Sequence, residues 1–300
     1  MEGITLQATL TGHQNPIYSL AVDRTNNLLY SAGNDKGIVE WELNSLKFKR
    51  VLCTVPSSVY KLVVHPVLNI LYASLRQGGI LVIDKDEPKL LAKLNIEKGA
   101  IFVMQIIQSK NELFAVDENG KAYVWDLNDY KLLYTFQVSS LAVRSVVIDE
   151  QKNILVVGDK NGFVHMIDLN DFHTILSKQI NAQSITSLAI INEVLYTGGR
   201  DAKLYKVSLD DLSVIDQITP HMFTVYDIIP IENKNLFITV SRDKTIKLWN
   251  TDLKLQKNVS RDRGIDSHYL SINTAAYFQD KNLLFSAGDD KQIKVWQVEL

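Results

Sequence analysis

Apolar and polar positions alternate along most of this chain in short runs, such as Ile17 to Val22 and Val225 to Pro230, separated by tight polar turns. Alternation with a period of two predicts strands with one buried face. The turns, DRTNN at Asp23 to Asn27 and QDKN at Gln279 to Asn282 among them, are rich in Asn and Asp, which tolerate turn dihedrals. After the first two strands comes a second tight turn, with Asp35, Gln77, Asn119, Asn161, Asp201, Asp243 or Asp290 at one fixed position. A third strand then carries Trp or an aliphatic residue at a fixed position. Alternation resumes in Leu46 to Leu52, Leu90 to Leu94, Leu132 to Phe136 and Val214 to Ile218, expected as outermost strands that are polar on alternate residues because they face water.

This pattern is one phrase written seven times. The copies begin at Leu28 (LLYSAGNDKGIVEWEL), Ile70, Glu112, Ile154, Val194, Leu236 and Leu283 (LLFSAGDDKQIKVWQV). The equivalent residues Trp41, Ile83, Trp125, Ile167, Val207, Trp249 and Trp296 are spaced by 42, 42, 42, 40, 42 and 47 residues. A period of roughly 40 to 45 with four strands per unit predicts an all-β, seven-bladed β-propeller of four-stranded antiparallel blades. The repeat cores fall at 28–43, 70–85, 112–127, 154–169, 194–209, 236–251 and 283–298. The seventh repeat ends after its third strand, whereas 4–10 is a strand-like run ahead of the first complete unit. We therefore expect 4–10 to be the outer strand of the last blade, closing the ring without exposed edges, and a single domain over 1–300.

Composition changes this picture little. The chain of 300 residues is 46% hydrophobic and 22% charged with a net charge of −2, which favours neither nucleic acid nor an anionic membrane. No run approaches the roughly 20 apolar residues of a membrane span, and the N-terminus lacks a basic segment followed by an apolar stretch. One cysteine, Cys53, rules out an intrachain disulfide framework. Together these lead us to expect a cytoplasmic protein.

Three blades carry a recurrent side-chain set: His13, Ser31, Asp35, Trp41; His221, Thr239, Asp243, Trp249; and His268, Ser286, Asp290, Trp296. On these residues the chain resembles the WD-repeat (WD40) family along its whole length. The resemblance implies a buried hydrogen-bonded chain, from Trp indole to Ser/Thr hydroxyl to His to Asp, tying three strands together. Blades two to five depart from the pattern, with Val55, Glu97, Ser139 and Asn181 at the His position, and Ile83, Ile167 and Val207 replacing Trp in three of them. Those blades are expected to rely on apolar packing.

A Ser, His and Asp in each set could pass for a catalytic triad, but recurrence at structural spacing with a Trp attached reads as architecture. His65, His165 and His173 stand singly, without metal-ligand spacing, and Cys53 has no base nearby in sequence. Gly78-Gly79 and Gly198-Gly199 lie at turns, not between a strand and a helix, so a phosphate loop is not expected. We expect no catalytic residues, no metal and no cofactor.

The surface remains. By strand parity, the loop entering each blade and the second tight turn emerge on one face, the top, where the resemblance implies partner binding. Five residues after the His position the repeats place Tyr18, Tyr60, Phe102, Arg144, Thr186, Tyr226 and Asn273; just before the turn Asp they place Asn34, Arg76, Glu118, Lys160, Arg200, Arg242 and Asp289. The candidate partner-binding residues are therefore Tyr18, Tyr60, Arg76, Phe102, Arg144, Lys160, Arg200, Tyr226 and Arg242, aromatics as anchors and cations selecting an acidic segment. The longest interval adds SRDRGIDS at Ser260 to Ser267, read first as a solvated charged loop, with extension of this face by Arg261, Asp262 and Arg263 as the alternative. The expected function is a non-catalytic scaffold for one or more proteins or peptides, with an RNA-binding propeller or a propeller hydrolase as alternatives.

Overall fold

The computed structural model describes residues 3–299; the outermost residues of the expected 1–300 domain, Met1, Glu2 and Leu300, lie outside the described residues. The described chain forms seven four-stranded antiparallel sheets. Strands a to d follow chain order from the axis outward, with strand a beginning at Ile17, Val59, Ile101, Val143, Ile185, Val225 and Ile272. The seventh sheet closes the ring: Gly3–Leu10 pairs antiparallel with Ile293–Glu299, so the outer strand of blade 7 comes from the beginning of the chain. No helix of the described residues is long and apolar enough to cross a membrane.

The core is divided among the blade interfaces. Seven apolar clusters each lie between neighbouring blades, the cluster joining blade 7 to blade 1 being built from Ile17, Leu29 and Trp41 on one side and Phe278, Phe285 and Val295 on the other. Strand b is buried along its whole length in most blades, because it is sandwiched on both faces by adjacent blades. Each large side chain removed from water there contributes about 1.5–3 kcal/mol. Strand d departs from expectation. In blades 1 to 6 it is exposed on both faces over most of its length and keeps large apolar residues, with Leu90 at 58% and its neighbour Leu91 at 40% exposure, whereas Gly3–Leu10 of blade 7 alternates as expected. Outer strands evidently keep apolar residues for strand formation and not for burial.

One irregularity repeats in all blades and positions the site. The register between strands a and b shifts between Ile17 and Ser19, Val59 and Lys61, Ile101 and Val103, Val143 and Ser145, Ile185 and Ser187, Val225 and Asp227, and Ile272 and Thr274. Each shift is a β-bulge that frees one residue from the ladder and re-aims its side chain. The freed residues are Tyr18, Tyr60, Phe102, Arg144, Thr186, Tyr226 and Asn273, the inner ring picked out in the sequence. A second repeated contact fixes the face: the backbone N–H of Asn34 donates to the Pro16 carbonyl at 3.0 Å, Arg76 to Ser58 at 2.8 Å and Arg200 to Ser184 at 2.9 Å. The b–c turn and the loop entering strand a are thereby held side by side on the top.

Candidate functional site

The three complete side-chain sets form the chains that the resemblance implied. In blade 1 the Trp41 indole donates to Ser31 Oγ at 2.7 Å, Ser31 Oγ lies 2.7 Å from His13 Nε2, and His13 Nδ1 lies 2.6 Å from Asp35 Oδ2. Blades 6 and 7 repeat this through Trp249, Thr239, His221 and Asp243 and through Trp296, Ser286, His268 and Asp290, with every link between 2.8 and 2.9 Å. Burial alone would raise the Asp35 and Asp243 carboxyls; the histidine and backbone bonds outweigh it and hold both below the usual range. Ser31, Thr239 and Ser286 are fully buried and committed to Trp and His, so none offers an accessible nucleophile.

The expectation that blades two to five rely on apolar packing holds for blade 2, where Val55, Ala73 and Ile83 belong to one apolar cluster. It fails for the next three. In blade 3 the Asp117 carboxylate accepts the N–H groups of Asn119 and Lys121 and the Tyr123 hydroxyl, the last at 3.2 Å. In blade 4 Asp159 does the same with Asn161, Phe163 and Ser139, and its Oδ2 lies 3.2 Å from His165 Nε2. In blade 5 Thr197 donates to Asn181 Oδ1 at 2.6 Å, and Asp201 accepts from Asn181 and from the Tyr205 hydroxyl. Tyr123, His165 and Tyr205 occupy one repeat position on strand c, so these blades bring a polar partner from strand c to the turn carboxylate. In blades 3 and 4 the fixed turn position holds Asn119 or Asn161, and the acid two residues earlier takes over its task. An unpaired buried carboxylate would be costly, which is why acid and partner change together.

His65, His165 and His173 also prove less solitary than their spacing suggests. His65 Nδ1 accepts the N–H groups of Val67 and Leu68. His173 lies beside Asp168 and Asp171 at an exposed turn of blade 4, where ligand atoms come within 4.8 Å of one another. Turn hydrogen bonds account for that cluster: Asp168 accepts from Asn170, and Asp171 accepts from the N–H of His173. Burial pushes the Cys53 thiol up, away from reactivity.

At the axis, the bulge side chains line a cavity of about 730 Å³ containing Tyr18, Tyr60, Phe102, Arg144 and Tyr226, with Asn273 and Asp289 across it. Four of them form a continuous ladder. The Tyr18 and Tyr60 rings are 5.8 Å apart, Tyr60 and Phe102 are 5.0 Å apart, and the Arg144 guanidinium lies 4.2 Å over the Phe102 ring. Burial, Tyr60 and Asp289 push the Tyr18 phenol up, with Arg76 acting in the opposite sense. Deeper in the wall stands Asp227, whose carboxyl burial also pushes up and whose oxygen accepts the Ala275 N–H at 3.2 Å. The other predicted cations form an outer ring. Lys160 and Arg200 line a second depression of about 330 Å³, and Arg242 lies 5.9 Å over the Phe223 ring. The loop at Ser260 to Ser267 contains a 3₁₀ turn, Arg261–Arg263, and lies between strand d of blade 6 and strand a of blade 7. Phe223 and its neighbour Met222 were not singled out by sequence reasoning, although no equivalent pair in blades 1 to 5 consists of two bulky apolar residues.

The family model described as "WD domain, G-beta repeat" matches residues 4–42, 213–250 and 261–297. These segments contain Trp41, Trp249 and Trp296, each one residue before the end of its match, and so cover the blades with complete Trp–Ser/Thr–His–Asp chains. With seven blades of one architecture around them, these three matches support recognition of the chain as a WD-repeat propeller. Propellers of this family are typically non-catalytic platforms for protein–protein interaction. Among curated proteins no sequence matches the chain.

Proposed function

We propose that the protein is a rigid, non-catalytic platform that receives a partner protein or peptide at the channel mouth on its top face. Supporting this is the ladder Tyr18, Tyr60, Phe102 and Arg144, four flat groups from adjacent blades at the rim of a cavity of about 730 Å³. Tyr and Arg bury large area while keeping directed hydrogen bonds, and a preorganised surface loses little entropy on binding. Around the ladder Arg76, Arg144, Lys160, Arg200 and Arg242 outnumber Glu118 and Asp289, which favours a partner segment carrying Asp or Glu.

The test is affinity capture from native lysate followed by mass spectrometry, comparing the wild type with Tyr60→Ala, Arg76→Ala, Phe102→Ala. The expected result is a protein retained by the wild type alone, at equal thermal stability. Phe102 also packs on the apolar cluster between blades 3 and 4, so the double variant Tyr60→Ala, Arg76→Ala is run beside it. Equal recovery by wild type and both variants refutes this placement of the site.

A further inference from the structure

The loop entering each blade has two residues directly after the tetrad-histidine position. In blades 1 to 5 these ten residues include a single large aliphatic, Leu141, and no aromatic. Blades 6 and 7 break the series with Met222-Phe223 and Tyr269-Leu270. All four are exposed, at 82%, 53%, 47% and 42%. Exposed apolar residues on the outer strands serve strand formation, but these lie in loops with no such reason to be bulky.

Both pairs lie on the top face of adjacent blades, three and two residues before the strands Val225–Ile231 and Ile272–Phe278, which the Asp227 to Ala275 bond ties together. Their backbone is preset: the N–H of Met222 donates to Asp243 Oδ2 at 3.0 Å and that of Tyr269 to Asp290 Oδ2 at 3.3 Å. Around them exposed cations outnumber exposed acids. Arg242, Lys244, Arg263 and Lys291 are exposed, and none has a salt-bridge partner among the described residues. Of the acids nearby only Asp266 is offset by cations, Arg261 and Lys294; Asp243 and Asp290 are largely buried against their histidines, Asp289 is bonded to Asn273, and Asp262 is exposed.

We propose that Met222, Phe223, Tyr269 and Leu270 form a second docking surface, distinct from the channel mouth, for a short acidic segment of another protein that carries bulky apolar side chains. The apolar four supply contact area, and the uncompensated cations pair with Asp or Glu flanking the anchors. An anionic bilayer fits less well, because Asp262 stands at the tip of the longest top loop and the chain carries a net charge of −2.

The test uses the full chain and fluorescein-labelled peptides in which Phe and Leu alternate with Asp, with Ser or with Lys, read by fluorescence polarisation. The Asp series should bind at least about tenfold more tightly than the Ser series, with the Lys series weakest. Phe223→Ser with Tyr269→Ser should remove that binding, Lys244→Glu with Lys291→Glu should reverse the order of the Asp and Lys series, and Tyr60→Ala with Arg76→Ala should leave it intact. No preference for the Asp series, or binding indifferent to the Phe223 and Tyr269 changes, overturns the proposal. Loss in the Tyr60 and Arg76 variant alone moves the peptide to the channel mouth, against this surface and in favour of the other. Two further results overturn it: cosedimentation with phosphatidylserine vesicles without peptide binding, and a concentration-dependent dimer abolished by Phe223→Ser.

Discussion

At the scale of single residues, the chain contains its own experiment on the tetrad histidine. Asn181 in blade 5 bonds Thr197 and Asp201 much as His221 in blade 6 bonds Thr239 and Asp243. An amide can therefore stand where the imidazole stands, but it cannot titrate. Burial depresses the His221 pKa below its ordinary 6.5, the Asp243 bond opposing only in part. The unfolded chain then binds a proton before the native one does, so stability is full above pH 6.5 and falls as the medium is acidified below it. His221→Asn should flatten the acid limb of stability between about pH 7 and 5, leaving the contribution of His65, which burial depresses in the same sense. His221→Ala, which strands Thr239 and Asp243, should cost about 3 kcal/mol in urea unfolding at pH 7; equal losses for the two variants would refute the equivalence. The same comparison shows what the sequence concealed. Aligning turns by a fixed index assigns Asn119 and Asn161 the place of an acid, whereas Asp117 and Asp159 do the work from two residues upstream. The readable signal was the shared Asp-x-Asn-Gly of Asp117 to Gly120 and Asp159 to Gly162.

At the scale of elements, blade 2 is the one without a polar chain, and a buried ion pair ties it to blade 1. Lys85 Nζ meets Asp23 Oδ2 at 2.5 Å with both side chains nearly inaccessible, while Arg50 donates to the Lys85 carbonyl at 2.6 Å and pairs with the fully buried Glu40. Burial would raise Asp23; its bonds to Lys85 and Asn26 hold it low. Removing one partner of such a pair leaves a buried charge alone, so Lys85→Met should cost about 3–5 kcal/mol, and Lys85→Met with Asp23→Leu should recover a substantial part. Chemical denaturation of the two variants checks this; a double variant no more stable than the single one contradicts it. Strand order and the inner ring were legible because the repeat index is preserved in every blade. The bulge that makes that index special was not, since no residue type marks it: Tyr, Phe, Arg, Thr and Asn all occupy it. The pairing of Asp23 with Lys85 links two repeats at unlike positions and lay outside any comparison of like with like.

At the scale of the whole molecule, the apolar clusters and the strand pairing of blade 7 join all seven blades in one ring. Removing residues 1–10 should leave Ile293–Glu299 as an unpaired edge, lower the melting temperature and promote association through that edge. Calorimetry with light scattering checks this, and a monomer melting like the full chain would refute it. The longest repeat interval pointed to the loop at Ser260 to Ser267, but the apolar residues beside it gave no periodic signal, because a docking surface on two blades is a departure from the repeat.

The pairing of Gly3–Leu10 with Ile293–Glu299 makes the propeller a hoop and not a stack. A stack frays from its last unit, each unit melting against one neighbour, whereas a hoop has no last unit and every blade is clamped from both sides. Breaking one interface opens a gap without freeing a blade, so two must fail before anything is lost. Such a body behaves as a gauge block for what it carries: groups on different blades keep their spacing, and a partner touching the ladder and the blade 6–7 loops together would read a fixed distance.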